Sequence, residues 1–433
     1  MYAVILSSII YLGAFFYPTY LYTNIFLWIL PLVVTDQNNR YGCYAGYIWG
    51  LIFFSGHISW FAYALTYKGQ GDVRMLIYCA TVSYFSLYSA FWLWFKQQLV
   101  YRYVNKIKNL NRKWVALCCT WIISTATFIF LTCYCSLAIF DCFEGYPFIN
   151  PLLPLVSIPW YLHALPYFGC VGYWIIIILT NLVIASAYKK YNGKTLILLI
   201  ALFGFPMLFQ PVLKNKIIKK NEMIYLQPTW NDQPLTQAQT FYEIGKRLDW
   251  IAIHYPTVKF VLIPESGFAY NLLDWENKLG AWTSLFSSET SIFIGAHRYE
   301  QDKKFNSLYQ IQDGKIINWC DKNHLVPFVE RIPWICKSIP VLHNFFTDQH
   351  AVFSYPITKN RKIGGFESII CSELFCKDIK PSQDAPILFI CNDSWFCLDY
   401  AKELAMRCVK LYSMRYSVPV IFVGSDRFEI IEN

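Results

Sequence analysis

The chain has 433 residues, of which 56% are hydrophobic and only 15% charged. A soluble domain carries about 25% charged residues, so the composition excludes a wholly water-soluble protein. The net charge of +9 does not imply nucleic acid. Many basic residues (Lys96, Arg102, Lys106, Lys108, Arg112, Lys113, then Lys189, Lys190, Lys194) fall in short loops between apolar runs, the positive-inside pattern of a membrane protein. Charge is sparse early and ordinary later, which predicts a membrane domain over 1–213 and a globular domain over 222–433, roughly 210 residues and able to bury its own core.

In the first half, apolar runs cover Tyr2–Phe16, Thr19–Val34, Cys43–Leu65, Met75–Phe95, Trp114–Phe140, Tyr167–Ala187 and Thr195–Leu213. A helix crossing a hydrocarbon core of about 30 Å needs about 20 residues, and most runs reach that length. The first is short and reads either as a span or as a signal-like segment. Pro18 marks a break. Pro151–Pro166, rich in Pro, Trp and Leu, reads as an interfacial or re-entrant piece. About seven crossings, with Lys96–Lys113 and Lys189–Lys194 cytoplasmic, would place Asp141, Glu144 and the globular half outside. Lys214, Lys216, Lys219 and Lys220 run against that orientation, but long domains translocate largely regardless of charge.

In the second half, Met223–Gln227, Lys259–Ile263, Ser291–Gly295, Ala385–Cys391 and Pro419–Val423 read as strands, and Phe305–Gln310 leads through Asp313-Gly314 into another. Thr236–Trp250 has helical spacing, with Phe241, Ile244 and Leu248 on one face, and Leu398–Tyr416 is helical. Strands alternating with helices predict an α/β or α+β sandwich. The fifteen cysteines include no CxxC pair and no Cys/His cluster with zinc spacing, so neither a metal nor another cofactor is expected.

Three polar residues stand at the ends of apolar runs or in a motif loop: Glu265 in Pro264-Glu265-Ser266-Gly267, Lys322 after Asp321, and Cys371 after Ile369-Ile370. Strand ends are where sites form in many α/β sheets. A cysteine opening a turn is a sound nucleophile, a desolvated carboxylate can take its proton, and an ammonium can hold a developing oxyanion.

These residues and their surroundings resemble the carbon–nitrogen hydrolase (nitrilase) superfamily. Lys322-Asn-His-Leu-Val-Pro-Phe-Val-Glu330-Arg-Ile-Pro333 is similar to the lysine stretch of its apolipoprotein N-acyltransferase branch, Lys-Arg-His-Leu-Val-Pro-Phe-Gly-Glu. Asn392-Asp393-Ser394-Trp395-Phe396 matches that branch's Asn-Asp-x-Trp-Phe. Ile158-Pro159-Trp160, Gly172 and Asn181 resemble its membrane part. The resemblance implies a polytopic helical membrane domain followed by a four-layer αββα sandwich. It implies Glu265 as general base, Lys322 as oxyanion stabiliser and Cys371 as nucleophile, with Glu330 and Glu373 as supporting carboxylates. Asn392 to Phe396 reads as mainly structural.

The implied reaction moves a phospholipid acyl chain through a thioester on Cys371 to the N-terminal amine of a lipoprotein. The implied location is a bacterial inner membrane, with the catalytic domain on the periplasmic side. Ser372 stands where the branch has an aromatic residue, Leu404–Tyr416 lacks its usual Arg-Ala-x-Glu pattern, and the chain ends at Asn433 without its last strands and terminal span. In these respects the chain resembles the shorter TraB-type conjugal transfer relatives, which supply one alternative reading. A membrane-tethered amidase is another. Either transferase would need a lipid-facing opening, with apolar residues of Trp334–Phe346 or Trp275–Phe286 near Cys371, whereas an amidase would need a closed polar pocket.

Overall fold

The computed structural model describes the chain apart from residues 35–40, 68–73, 137–145, 190–192, 210–218, 229–234, 327–329, 333–336, 339–352, 357–359, 376–379, 383–384, 395, 397 and 433. It divides into two compact units. The first is helical: α1 (Tyr2–Phe16), α2 (Pro18–Leu21), α3 (Leu30–Val34), α4 (Gly42–His57), α5 (Ser59–Tyr67), α6 (Arg74–Leu99), α7 (Leu110–Tyr134), α8 (Leu165–Lys189) and α9 (Gly193–Gly204). Among the described residues three stretches, Met75–Val104, Asn111–Tyr134 and Leu165–Tyr188, are long and apolar enough to cross a membrane, and Tyr2–Phe16, Pro18–Val33 and Thr195–Leu208 are shorter apolar segments.

Two expected runs are interrupted. The stretch 19–34 is split by a 3₁₀ turn over Tyr22–Phe26, and the stretch 43–65 breaks at Ile58, which leaves helical geometry between α4 and α5. Asn181 compensates the first interruption: its carboxamide accepts from Ile29 N–H (3.0 Å) and donates to the Ile25 carbonyl (3.0 Å), pairing backbone groups that a continuous helix would have paired. The Pro-rich piece 151–166 holds two 3₁₀ turns, Pro154–Ser157 and Pro159–Leu162, after a third at Pro147–Ile149, as the prolines dictate, and its last residues Leu165 and Pro166 open α8.

Helix α4 packs closely on α6 because its contact face is glycine. A Cβ on Gly50 would lie 2.6 Å from Ser86 Cα, one on Gly42 would lie 2.8 Å from the Leu93 carbonyl oxygen, and one on Gly46 would collide with the Ser89 backbone. Spacing of four residues puts all three glycines in one row, the arrangement that lets apolar helices approach closely. Around this seam Tyr11, Trp28, Trp49, Phe53 and Trp92 form a buried aromatic cluster, with the Tyr11 and Trp28 rings stacked at 4.3 Å.

Among the described residues the second unit contains ten strands: β1 (Met223–Tyr225), β2 (Phe260–Asn271), β3 (Ser291–Glu300), β4 (Lys303–Gln312), β5 (Lys315–Asp321), β6 (Lys362–Ile363), β7 (Phe366–Ile370), β8 (Ile387–Ile390), β9 (Val420–Val423) and β10 (Phe428–Ile431). They form two five-stranded sheets, ordered β1-β2-β3-β4-β5 and β10-β9-β8-β7-β6. Strands β1, β2 and β3 run parallel, as do β7, β8 and β9. The sheets face each other across one apolar core that joins Leu262, Phe293 and Leu308 to Ile370, Leu388, Ile390 and Ile421. The outer face of the first sheet is covered by α10 (Gln237–His254) and α11 (Gly280–Thr283) through Phe241, Leu248, Ile263, Ile294, Trp282 and Tyr309.

Helix α10 matches the expected stretch and carries a capping box, Thr236 with Gln239, that fixes its start. Helix α12 (Asp399–Tyr416) connects β8 to β9 in sequence but clusters with the helical unit. There the Tyr400 hydroxyl pairs with His57 Nδ1 (2.7 Å) and Arg407 donates to the Phe15 carbonyl (2.8 Å).

Candidate active site

Three strands of the second unit end, and a fourth bulges, at one place. Strand β2 swells just past Ile263: Ile263 pairs with Ile294 and Phe268 with Ala296, so Pro264, Glu265, Ser266 and Gly267 all lie opposite the single residue Gly295. This wide bulge turns Glu265 out of the ladder. Ser266 takes a positive φ of 57°, and Gly295 is required beneath it, since a Cβ there would lie 2.6 Å from the Pro264 carbonyl oxygen.

Strand β5 ends at Asp321, and Lys322 follows, its backbone N–H bound to the Asn306 carbonyl (2.8 Å). Asp321 is itself pinned. Arg298 reaches both of its carboxylate oxygens (3.0 and 2.7 Å), and the Ser307 hydroxyl donates to one of them (2.6 Å). Strand β7 ends at Ile370, and Cys371 opens a 3₁₀ turn with a φ of +50°, a left-handed conformation uncommon for a residue with a side chain. Strand β8 ends at Ile390, two residues before Asn392.

The expected residues Glu265, Lys322, Glu330 and Cys371 converge. The Lys322 ammonium, 1% exposed, sits 2.9 Å from Glu265 Oε1 and 3.0 Å from Glu330 Oε1. The Cys371 thiol feels the charges of Glu265, Lys322 and Glu330. Glu330 is held by Val326, whose N–H donates to its second oxygen (2.7 Å). Glu373 has a different place from Glu330: its two oxygens accept from Ile370 N–H (2.8 Å) and Asn323 N–H (2.6 Å), so it ties backbone to backbone rather than pairing with the lysine.

Glu265 has two further partners: Asn306, which was not singled out in the sequence, and Asn392, which the sequence placed in a structural motif. Asn306 donates from one Nδ2 to Glu265 Oε1 and Glu330 Oε1, both at 2.8 Å, and Asn392 N–H donates to Glu265 Oε2 (2.8 Å). Asn306 leaves no distinctive trace in the sequence, because its strand also carries Ser307, Gln310 and Gln312 among its apolar residues. Asn392 acts through its backbone, while its side chain accepts from Ser394, which agrees with a structural role for that motif. Trp395 lies outside the described residues.

The electrostatics follow from burial and pairing. Burial pushes the Glu265 carboxyl up, but Lys322, Asn392 N–H and Asn306 together outweigh it and hold the group below its ordinary value, so it is ionised. Burial works against the Lys322 charge, and the two glutamates overcome it, raising the ammonium well above its ordinary range. Burial, then the Glu265 charge, push the Cys371 thiol well up, with Lys322 opposing only in part. The resting arrangement is therefore a neutral thiol beside a carboxylate that can accept its proton, with an ammonium alongside.

The expected apolar flank is only partly visible. Trp275 and Trp282 belong to the core under α10, on the outer face of the first sheet, whereas Cys371 packs against the core between the sheets. The segment 275–286 is therefore not the neighbour of Cys371 that its sequence suggested. Most of the alternative, Trp334–Phe346, lies outside the described residues.

No family model matches the chain. Along most of its length it resembles the apolipoprotein N-acyltransferase of Pasteurella multocida (strain Pm70), with 21% identity over 434 residues, covering 90% of this chain and 77% of that protein. Similar solved structures include a glutamine-dependent NAD+ synthetase from Acinetobacter baumannii in complex with ADP (10% identity, TM-score 0.33). That alignment covers 48% of this chain but only 39% of the synthetase, so the chain spans about two fifths of its length. A carbon–nitrogen hydrolase from Helicobacter pylori G27 has 13% identity and a TM-score of 0.29, covering 46% of this chain and 72% of that one.

Proposed function

We propose that this chain is a membrane N-acyltransferase that passes an acyl chain through a thioester on Cys371. The observation that carries the reading is the buried set Glu265, Lys322, Glu330 and Cys371, in which a neutral thiol, an ionised base and an ammonium share one locus. In the first half-reaction Sγ attacks the ester carbonyl of a phospholipid while Glu265 takes the thiol proton. Lys322 holds the tetrahedral oxyanion, and the protonated Glu265 delivers its proton to the departing lysophospholipid oxygen. In the second, the N-terminal amine of a lipoprotein attacks the thioester, Glu265 accepts a proton from the amine and returns it to sulfur, and an amide is released.

Glu330 serves to keep Lys322 charged and aimed. Glu373 serves to hold the turn that presents Cys371. A lipid donor is consistent with a chain that includes three helices able to span a bilayer, and the catalytic domain then belongs on the outer, periplasmic side of a bacterial inner membrane. The test is to incubate the purified protein with phospholipid alone and look for an acyl adduct on the Cys371 peptide that hydroxylamine releases. Wild type should form it and Cys371→Ala should not. An adduct that persists in Cys371→Ala, or full transfer activity in that variant, refutes the assignment.

A further inference from the structure

The nucleophile and the lysine come from different sheets, so something must set their separation. Two consecutive residues of the cysteine turn do so by binding two consecutive residues of the lysine loop. The Ser372 hydroxyl, 2% exposed, donates to the His324 carbonyl (2.7 Å), and the Glu373 carboxylate accepts from Asn323 N–H (2.6 Å) while its other oxygen accepts from Ile370 N–H (2.8 Å). Each bond is made to backbone, so neither depends on the identity of the loop residue. Together they clasp the two segments immediately after Lys322 and immediately around Cys371. Glu373 supplies an acceptor and Ser372 a donor, and an aromatic ring at position 372 could not reproduce the serine's short reach to that carbonyl.

We propose that Ser372 is a positioning residue that fixes the approach of Lys322 to Cys371, and through it the stabilisation of the oxyanion. The inference rests on the reading of Cys371 as an acyl-carrying nucleophile. It also predicts a property of the thiol that needs no substrate. With the hydroxyl removed, the ammonium is less well held beside the sulfur, so the thiolate is less favoured at a given pH.

The test compares full-length wild type, Ser372→Ala and Ser372→Thr in detergent micelles. Acyl transfer from phospholipid vesicles doped with an acceptor lipopeptide gives kcat and KM, and peptide mass spectrometry gives the rate of iodoacetamide alkylation at Cys371 at pH 9. Ser372→Ala should lower kcat about tenfold to a hundredfold with KM little changed, because a small misplacement of a catalytic group is felt mainly in the transition state. Threonine, which keeps the hydroxyl, should restore most of it. Alkylation of Cys371 should be severalfold slower in the alanine variant and near wild type in the threonine variant.

Unchanged kcat in Ser372→Ala, a threonine variant as impaired as alanine, or faster alkylation in the alanine variant would each overturn the proposal, the last by reducing Ser372 to a steric shield. If wild type carries no acyl group at all, the functional reading fails, and the alkylation comparison still decides whether Ser372 positions the lysine.

Discussion

Two hydrogen-bond donors share the same pair of carboxylate oxygens: Lys322 and Asn306 each reach Glu265 Oε1 and Glu330 Oε1 at 2.8–3.0 Å. Bringing two carboxylates this close would raise the pKa of one of them, and the bridging donors reverse that. Glu265 is therefore depressed and stays ionised down through its ordinary value of 4.5, while the Cys371 thiol stays neutral up through its ordinary 9.0. The kcat/KM of the wild type for the phospholipid donor should be flat across that range, its acid limb appearing only as pH falls through the depressed Glu265 value. Asn306→Leu removes one bridge to the charged form of Glu265, so the acid limb should move upward and kcat should fall about tenfold, the worth of a hydrogen bond to a charged group. A pH–rate series on both proteins measures this, and an acid limb left in place would show that Asn306 does not hold the base. The roles proposed for Glu265, Lys322 and Cys371 could be read from the chain because chemistry limits which side chains can do such work. Asn306 could not, because one polar residue among several on its strand has no meaning until its partner across space is known.

At the scale of elements, the seam between α4 and α6 is the most specific contact in the helical unit. Gly42, Gly46 and Gly50 stand at intervals of four, a pattern that can be written down from the sequence, yet nothing in the sequence says that Ser86 and Ser89 lie opposite them. Gly50→Leu should destabilise the protein by about 1–3 kcal/mol or more, since there is no room for the side chain. Gly204→Ala, where a Cβ meets nothing within 4 Å, should be close to neutral. Thermal unfolding in detergent followed by tryptophan fluorescence compares them, and equal melting temperatures would refute the close-packed seam. The strands were legible where apolar runs met Gly, Pro or Asp turns, as at Asp313-Gly314 between β4 and β5. Short β6 and β10 were not, because Lys362-Ile363 and Phe428-Glu429-Ile430-Ile431 lack the longer unbroken apolar run that marked β8 and β9. The runs 19–34 and 43–65 looked continuous because hydropathy reports apolar content and is blind to where the backbone leaves the helix.

For the whole molecule, the proposed periplasmic placement of the catalytic domain is open to a direct measurement. Alkaline phosphatase, active only when exported, fused after Asn433 should be active in bacterial cells, and a fusion within Lys96–Lys113 should not. The opposite result would put the domain in the cytoplasm and remove lipoprotein acceptors from consideration. Composition and run length by themselves determined that this chain joins apolar helices to a sheet-bearing domain, because burial in lipid and burial in a sandwich core each demand a distinct pattern of side chains. Local motifs determined which residues could carry acyl chemistry. Only the tertiary structure decided that Glu265, Lys322, Glu330 and Cys371 meet, that Glu373 binds backbone instead of lysine, that 275–286 lies on the far face of the first sheet, and that α12 packs with the helical unit. Those outcomes depend on which surfaces are complementary across tens or hundreds of residues, and such long-range contacts leave no periodic trace along the chain.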